Sequence, residues 1–203
     1  MINFEKITFG KYEWIVLERK KDKILILTES IIGQRDFNDK KEEVTWEDSE
    51  VRHYLNTDFY NSFDLRDKEK IIPTVSVNEP NNWYGTMNGR DTTDMIFLLS
   101  LQEVAKYYFG DSGNLLENPK PNQRYWFERK DPNNQNRISL YLDRLWWWWT
   151  RTPGKNNNVA VYIHGDGNIG IQGNGVSKTT FNTLHPITGN NKGGLRVALW
   201  LKI

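Results

Sequence analysis

Cysteine is absent from the 203 residues, which excludes disulfides, thiolate zinc sites, iron–sulfur clusters and cysteine nucleophiles together. Histidine is scarce: His53, His164 and His185 are too scattered for a metal-binding spacing, so surface or packing roles are expected for each. Net charge is nearly absent, with 27 basic against 26 acidic side chains, and a general electrostatic pull toward nucleic acid or anionic lipid goes with it. No apolar run approaches the ~18 residues of a membrane span, so membrane insertion is not expected. The start MINFEKITFG lacks the basic region, apolar stretch and small-residue cleavage site of a secretion signal. The expectation is a chain made in the cytoplasm that meets an external target, at a virion or cell surface, by a non-classical route. Its length suits one domain, expected to be monomeric, with a core large enough to need no covalent staple.

Two residue types are in surplus. Nine tryptophans include the unbroken run Trp146-Trp147-Trp148-Trp149, and 8 of the 22 asparagines fall between Asn156 and Asn191. Charge is unevenly placed as well. Of the 53 charged residues only Lys155, Asp166, Lys178, Lys192, Arg196 and Lys202 lie beyond Gly154, so a body of net −3 precedes a tail of net +4 with a single acid. The tail is Gly/Asn/Ser/Thr-rich, a composition for tight turns and short strands. Its β-branched residues recur at strand spacing, at Val159, Val161 and Ile163, then Ile169 and Ile171, which argues against a disordered linker.

Periodicity predicts strands at 7–9, 12–17 and 24–27 with a charged turn at 19–23. Val51, Tyr54, Leu55, Phe59 and Tyr60 have helical spacing, with Thr45 or Asp48 as cap. A short helix is predicted from Asp67 to Ile72, stopped before Pro73. Met95 to Leu99 suits a buried strand, after which Ser100 caps a helix ending at Gly110. Residues 118–136 read as polar, proline-punctuated loop. The end alternates strand and turn, at 146–151, 159–164, 168–171 and 195–201. One α+β domain over 1–203 accounts for this order, with 1–145 as scaffold and 146–203 as a carboxy-terminal ligand-binding segment.

A search for chemistry yields little. There is no Gly-x-x-x-x-Gly-Lys-Ser/Thr, and Gly165-Asp166-Gly167-Asn168-Ile169-Gly170 has no helix after it, so a hairpin turn at Asp166-Gly167 is predicted rather than a nucleotide loop. No Gly-x-Ser-x-Gly anchors a serine triad. Asp91-Thr92-Thr93-Asp94 offers hard oxygens for calcium or, as the preferred reading, turn and capping groups. Glu79-Pro80-Asn81 matches a sugar-binding tripeptide of some animal lectins but lies far from the terminal strands and is read as coincidence. No catalytic residue, metal site or cofactor is assigned. In a strand Trp147 and Trp149 share one face and Trp146 and Trp148 the other. One pair is core; the second is either core too or an exposed platform, here assigned to Trp146 and Trp148.

Several strings together resemble a widespread group of prokaryotic and phage domains: Phe9-Gly10-Lys11-Tyr12-Glu13-Trp14, Val44-Thr45-Trp46 with Arg52, Gly89 to Ser100, Trp147-Trp148-Trp149-Thr150-Arg151-Thr152-Pro153-Gly154 and Gly194-Leu195-Arg196-Val197-Ala198-Leu199. The last two are similar to the C-type lectin-like fold of formylglycine-generating enzymes and of the variable proteins of diversity-generating retroelements. That resemblance implies two main helices, small mixed or antiparallel sheets, long loops and a ligand surface built by the last strands. The enzyme branch needs cysteines that this chain lacks. The retroelement branch mutates adenines near the 3′ end of a gene, and asparagine codons can thereby become Tyr, His, Asp, Ser, Thr, Ile or Gly. It implies a variable protein displaying Asn156, Asn157, Asn158, Tyr162, His164, Asp166, Asn168, Gln172, Asn174, Ser177, Thr179 and Asn182 toward a protein ligand. Trp147, Arg151, Gly194, Arg196 and Ala198 become scaffold, the two arginines bonding loop carbonyls across the terminal strands. Alanine at His164, Asn168 or Gln172 is then expected to leave folding intact. The alternative is a carbohydrate-binding module using exposed tryptophans, with or without calcium at Asp91 and Asp94.

Overall fold

Alternating apolar side chains near the amino terminus form an antiparallel meander of β1 (Lys6–Phe9), β2 (Tyr12–Arg19) and β3 (Lys23–Thr28). The computed structural model describes residues 2–116, 131–177 and 182–203. Among these follow β4 (Gln34–Arg35), β5 (Ile71–Ile72), β6 (Thr74–Ser76), β7 (Thr92–Asp94) and β8 (Phe97–Leu98). The hairpin strands β9 (Leu140–Tyr141) and β10 (Arg144–Leu145) lead into β11 (Trp148–Pro153), β12 (Val159–Ile163), β13 (Ile169–Gly175), β14 (Gly193–Gly194) and β15 (Val197–Lys202). Strands outweigh short helices, and the architecture is α+β.

Two sheets carry the molecule. The first runs β1-β2-β3-β15-β5, with β8 also paired to β15. The second runs β13-β12-β11-β14-β4, antiparallel except where Trp148 of β11 meets Gly194 of β14 in parallel. β15 thus lies in the middle of the amino-terminal sheet, in register with β3 from Ala198↔Leu27 to Lys202↔Lys23. The two ends of the chain share one apolar core, from Trp14 and Leu27 to Trp148 and Leu199.

Helical backbone covers 50–61: α1 (Glu50–Tyr54) widens over Leu55–Phe59, where the Tyr60 amide donates to Leu55 O. Val51, Leu55 and Phe59 are its buried stripe. Its cap is Ser49, whose side chain accepts from the Arg52 amide, rather than Thr45 or Asp48. A second helical stretch at 101–107 opens on a reciprocal box: the Ser100 hydroxyl accepts from the Glu103 amide, and the Glu103 carboxylate accepts from the Ser100 amide. The helix predicted at 67–72 is displaced. It is α2 (Leu65–Lys68), capped by Asp64, and Ile71–Ile72 instead pairs with Leu201 and Trp200. An apolar pair before a proline reads alike in both states, and the open edge of β15 decides.

All four tryptophans of the run are buried. Trp147 and Trp149 do share a face, ring centroids 4.7 Å apart, and Phe37 and Tyr162 cover them. Trp148 points the other way, against Phe109 and the Arg196 guanidinium, its indole N–H donating to Arg137 O. With both faces covered, the exposed platform assigned to Trp146 and Trp148 does not form. The scaffold arginines do bond backbone carbonyls, but of their four acceptors only Val77 lies in a loop; Leu98 and Thr28 belong to β8 and β3, and Arg137 ends a short helix. Arg151 donates to Leu98 O and Val77 O, and Arg196 donates to Thr28 O and Arg137 O. Burial works against the Arg196 cation and lowers its pKa, with Glu29 opposing.

The β9–β10 turn is unusual. Leu142 and Asp143 both have positive φ, 48° and 60°, where a two-residue hairpin favours Asn-Gly. A left-handed non-glycine residue costs roughly 1–2 kcal/mol. Asp143→Gly is therefore expected to stabilise the fold by about 1 kcal/mol, a rise of about 2–4 °C in Tm. A melting curve unchanged or shifted down would show that the turn is not under this strain.

Candidate functional site

The β10–β11 junction and the β12–β13 turn meet at a surface groove of ≈410 Å³, lined by Leu145, Trp146, Trp147, His164, Gly165, Asp166 and Thr183. Its size lies within the range of ligand sites, about 300–1,000 Å³. The floor is apolar. Trp146 is pinned by its indole N–H to Lys192 O at 2.9 Å and packs edge-on against His185, which also meets Tyr141. His185 accepts from the Ile187 and Thr188 amides and so orders the 182–190 loop beside the β9–β10 hairpin.

The rim is the predicted Asp-Gly hairpin. Gly167 takes φ +82° and donates to His164 O, and the His164 amide donates to Asn168 O. Asp166, the tail's single acid, accepts from the Asn168 amide and side chain, each at 3.0 Å, and lies 3.0 Å from His164 Nδ1. Partial burial pushes its carboxyl up, yet these hydrogen bonds and His164 outweigh it and hold the pKa below the usual aspartate value. Asn134 in turn donates to Asn168 Oδ1 at 2.6 Å. The rim is thereby tied to α3 (Asn134–Arg137) and its buried Asp131–Arg137 ion pair.

Exposed apolar side chains lie on two of the segments that contribute to the groove. Leu140, Leu142 and Leu145 on the hairpin, and Leu184 and Ile187 on the loop, are 39–61% exposed. Both segments are those joined by the Tyr141–His185–Trp146 stack. A larger cleft of ≈580 Å³ beside α1 is lined instead by Glu47, Asp48, Glu50, Arg52 and His53 and has no such floor.

Of the residues singled out in the sequence, Trp146, His164 and Asp166 come together here. Asn156 and Asn182 are exposed, and Asn157, Asn158, Gln172 and Ser177 are half-buried. β12 separates the 156–158 turn from His164 by its full length, about 17 Å at strand rise, so the set is not one surface. Trp148, Tyr162, Asn168 and Asn174 are buried, at 0%, 1%, 7% and 1% exposure, and their expected place on the surface is corrected. Thr179 lies outside the described residues.

Asn168→Ala is accordingly expected to destabilise by about 1–3 kcal/mol, because the buried Asn168 side chain bonds both Asp166 and Asn134 and each lost bond costs about 0.5–1.5 kcal/mol, whereas His164→Ala and Gln172→Ala should stay within about 0.5 kcal/mol. Urea midpoints of the three variants check this; equal midpoints would contradict the clamp through Asn168.

The other sequence signals are structural. Asp94 accepts from Arg52 Nε at 2.6 Å, Trp46 Nε1 at 3.0 Å and Thr92 Oγ1 at 2.8 Å, and Asp91 accepts from the Asn78 amide. The Asn81 side chain, wholly buried, donates to Pro153 O and Ile171 O and ties its loop to β11 and β13. Among the described residues no three His, Asp or Glu side chains cluster as metal ligands, and no helix is long and apolar enough to cross a membrane. The sequence reading missed Leu145, Thr183, Leu184 and Ile187. The signal available was apolar side chains inside otherwise polar turns, as in Leu184-His185-Pro186-Ile187.

A family model described as "Domain of unknown function (DUF6273)" matches residues 21–203. The chain belongs to this family. No curated protein and no solved structure matches it. Within this DUF6273 domain the matched region takes in both sheets from β3 onward, the groove and the apolar segments beside it.

Proposed function

We propose that this protein is a non-enzymatic binding protein whose ligand is the surface of another protein. The observation that carries this reading is a tryptophan-floored groove lined by Leu145, with exposed Leu142, Leu184 and Ile187 on the two segments that supply Leu145 and Thr183 to it. Exposed apolar side chains gathered at one place mark interaction sites, and small polar groups among them supply adaptable hydrogen bonds.

On this proposal the scaffold is C-type lectin-like, supported by two helical stretches, a mixed second sheet and a groove where the β10–β11 junction meets the β12–β13 turn. Diversification by a retroelement is part of the same proposal. It concerns the positions that can reach a ligand: Asn156, Asn157, Asn158, His164, Asp166, Gln172, Ser177 and Asn182. A reverse transcriptase gene beside a near-copy of the gene's 3′ end, differing only at adenines, would support it; neighbouring DNA without either would sink it.

Sugar stacking has less support, because all the described tryptophans are buried and Trp146 and Trp147 expose only 6% and 4%. The binding test is selection from a displayed peptide library on the native protein, followed by titration of the winners against Leu145→Glu and Ile187→Glu. Burying an apolar side chain contributes about 1.5–3 kcal/mol, so each variant should weaken binding about tenfold or more. Winners that bind both variants as tightly as the native chain would place the ligand surface elsewhere. A glycan array with and without chelator tests the sugar reading.

A further inference from the structure

The groove carries one carboxylate beside its apolar floor. Asp166 lines it together with Leu145, Trp146 and Trp147, and 57% of the Asp166 side chain is exposed. The carboxyl is raised by partial burial but lowered further by its hydrogen bonds and by His164, and is anionic at neutral pH. Among the described residues no lysine or arginine lies within ion-pair distance of it, and a neutral His164 imidazole donates Nδ1–H without bringing a charge. The basic residues of the adjoining segments, Arg144 and Lys192, do not line the groove, and the Lys192 ammonium is paired with Asp36 at 2.8 Å. A carboxylate offers about four acceptor directions. On Asp166, Oδ1 is taken by the Asn168 amide and by His164 Nδ1, each at 3.0 Å, and Oδ2 by the Asn168 side chain, also at 3.0 Å. A single direction, on Oδ2, is left.

We propose that the groove takes a lysine side chain of the protein ligand, with its methylene stem along the floor of Leu145, Trp146 and Trp147 and its ammonium on Asp166. The assignment rests on the reading of the groove as a protein-binding surface and names what that surface selects. Any partner that covers the groove takes water from the carboxylate, and a charge desolvated without a partner costs binding energy. A leucine or phenylalanine anchor leaves that cost standing, and a glutamate adds repulsion. Lysine meets both parts of the site at once, because its stem is apolar and its head is charged. Arginine has the charge as well, but its planar fork matches two carboxylate acceptors side by side, whereas one direction remains here. A compact ammonium needs only that one.

The test uses peptides selected on the native full chain, remade with one change each and titrated by calorimetry at about pH 8, where an ordinary imidazole is neutral. Winners that lose binding to Leu145→Glu are expected to share a lysine. Norleucine in its place keeps the stem and drops the ammonium, and should weaken binding about fivefold or more; arginine should weaken it about two- to threefold. On Asp166→Asn the lysine and norleucine peptides should differ by less than about twofold. Both peptides meet the same variant, so any loosening of the rim cancels from the ratio. Winners that depend on Leu145 but carry no lysine, or a norleucine peptide as tight as the lysine one, would overturn the assignment and leave the protein-binding reading standing. A lysine preference that survives Asp166→Asn would overturn it too, by placing the ammonium elsewhere. Winners indifferent to Leu145→Glu would overturn both.

Discussion

Asp131→Ala is expected to lower the unfolding free energy by about 3–5 kcal/mol, the usual consequence of leaving one half of a buried ion pair behind. Asp131 and Arg137 lie 2.6 Å apart with side chains 0% exposed. Burial acts to lower the Arg137 pKa, and Asp131 is what opposes it. The carboxylate also accepts from the Ser112 hydroxyl and the Asn133 amide, and Arg137 reaches Val104 O, Ser112 and Asn134. Loss of the carboxylate therefore leaves a cation and several dipoles without their common partner. Urea unfolding measures the effect, with Glu5→Ala as the control. Glu5 pairs with Arg19 at 2.8 Å, but both are about half exposed, and such a pair contributes about 0–1 kcal/mol. A loss under 1 kcal/mol for Asp131→Ala would show that the pair does not hold this part of the fold.

Gly167→Ala is the second large effect. The residue has φ +82°, and an added Cβ would lie 1.9 Å from the backbone oxygen of Asn134. Left-handed strain of roughly 1–2 kcal/mol adds to an overpacking cost of about 1–3 kcal/mol, giving a loss of about 2–5 kcal/mol. Gly189→Ala separates the two causes, since Gly189 has φ +67° but nothing within 4 Å of the added atom. It should show the strain alone. If both variants lost the same amount, close approach of the rim turn to α3 would have no energetic weight. Asp131→Ala and Gly167→Ala act on opposite sides of one contact, so both should also weaken any ligand held by His164 and Asp166.

Much of the scaffold is visible in local pattern. Trp14, Ile24, Leu25, Ile26 and Leu27 read as strand and are strand, and Val51, Leu55 and Phe59 read as helix and are helix. Ser100 and Glu103 carry their capping box within four residues. Properties set by distant neighbours were hidden. Whether a tryptophan pair is covered depends on Phe37 for one face and Phe109 and Arg196 for the other, all remote in sequence. The tail's asparagines look alike in composition, yet Asn156 is exposed while Asn168 is held by Asp166 and Asn134. Polarity alone does not distinguish a group that meets solvent from one that satisfies a turn. The groove itself arises from three segments, 145–147, 164–166 and Thr183, and nothing in the local pattern of any one announces the others.

The central place of β15 bears on how the protein is made. Its partner β3 leaves the ribosome more than 160 residues earlier, and every pairing between them closes a loop of almost the whole chain. Closing such a loop is entropically costly, and topologies rich in distant pairings fold slowly. During synthesis the meander β1–β3 must wait with one edge open, and the first sheet is completed only when Val197–Lys202 emerges. Changes in the 146–194 segment thus fall within the span that separates a waiting edge from the strand that seals it.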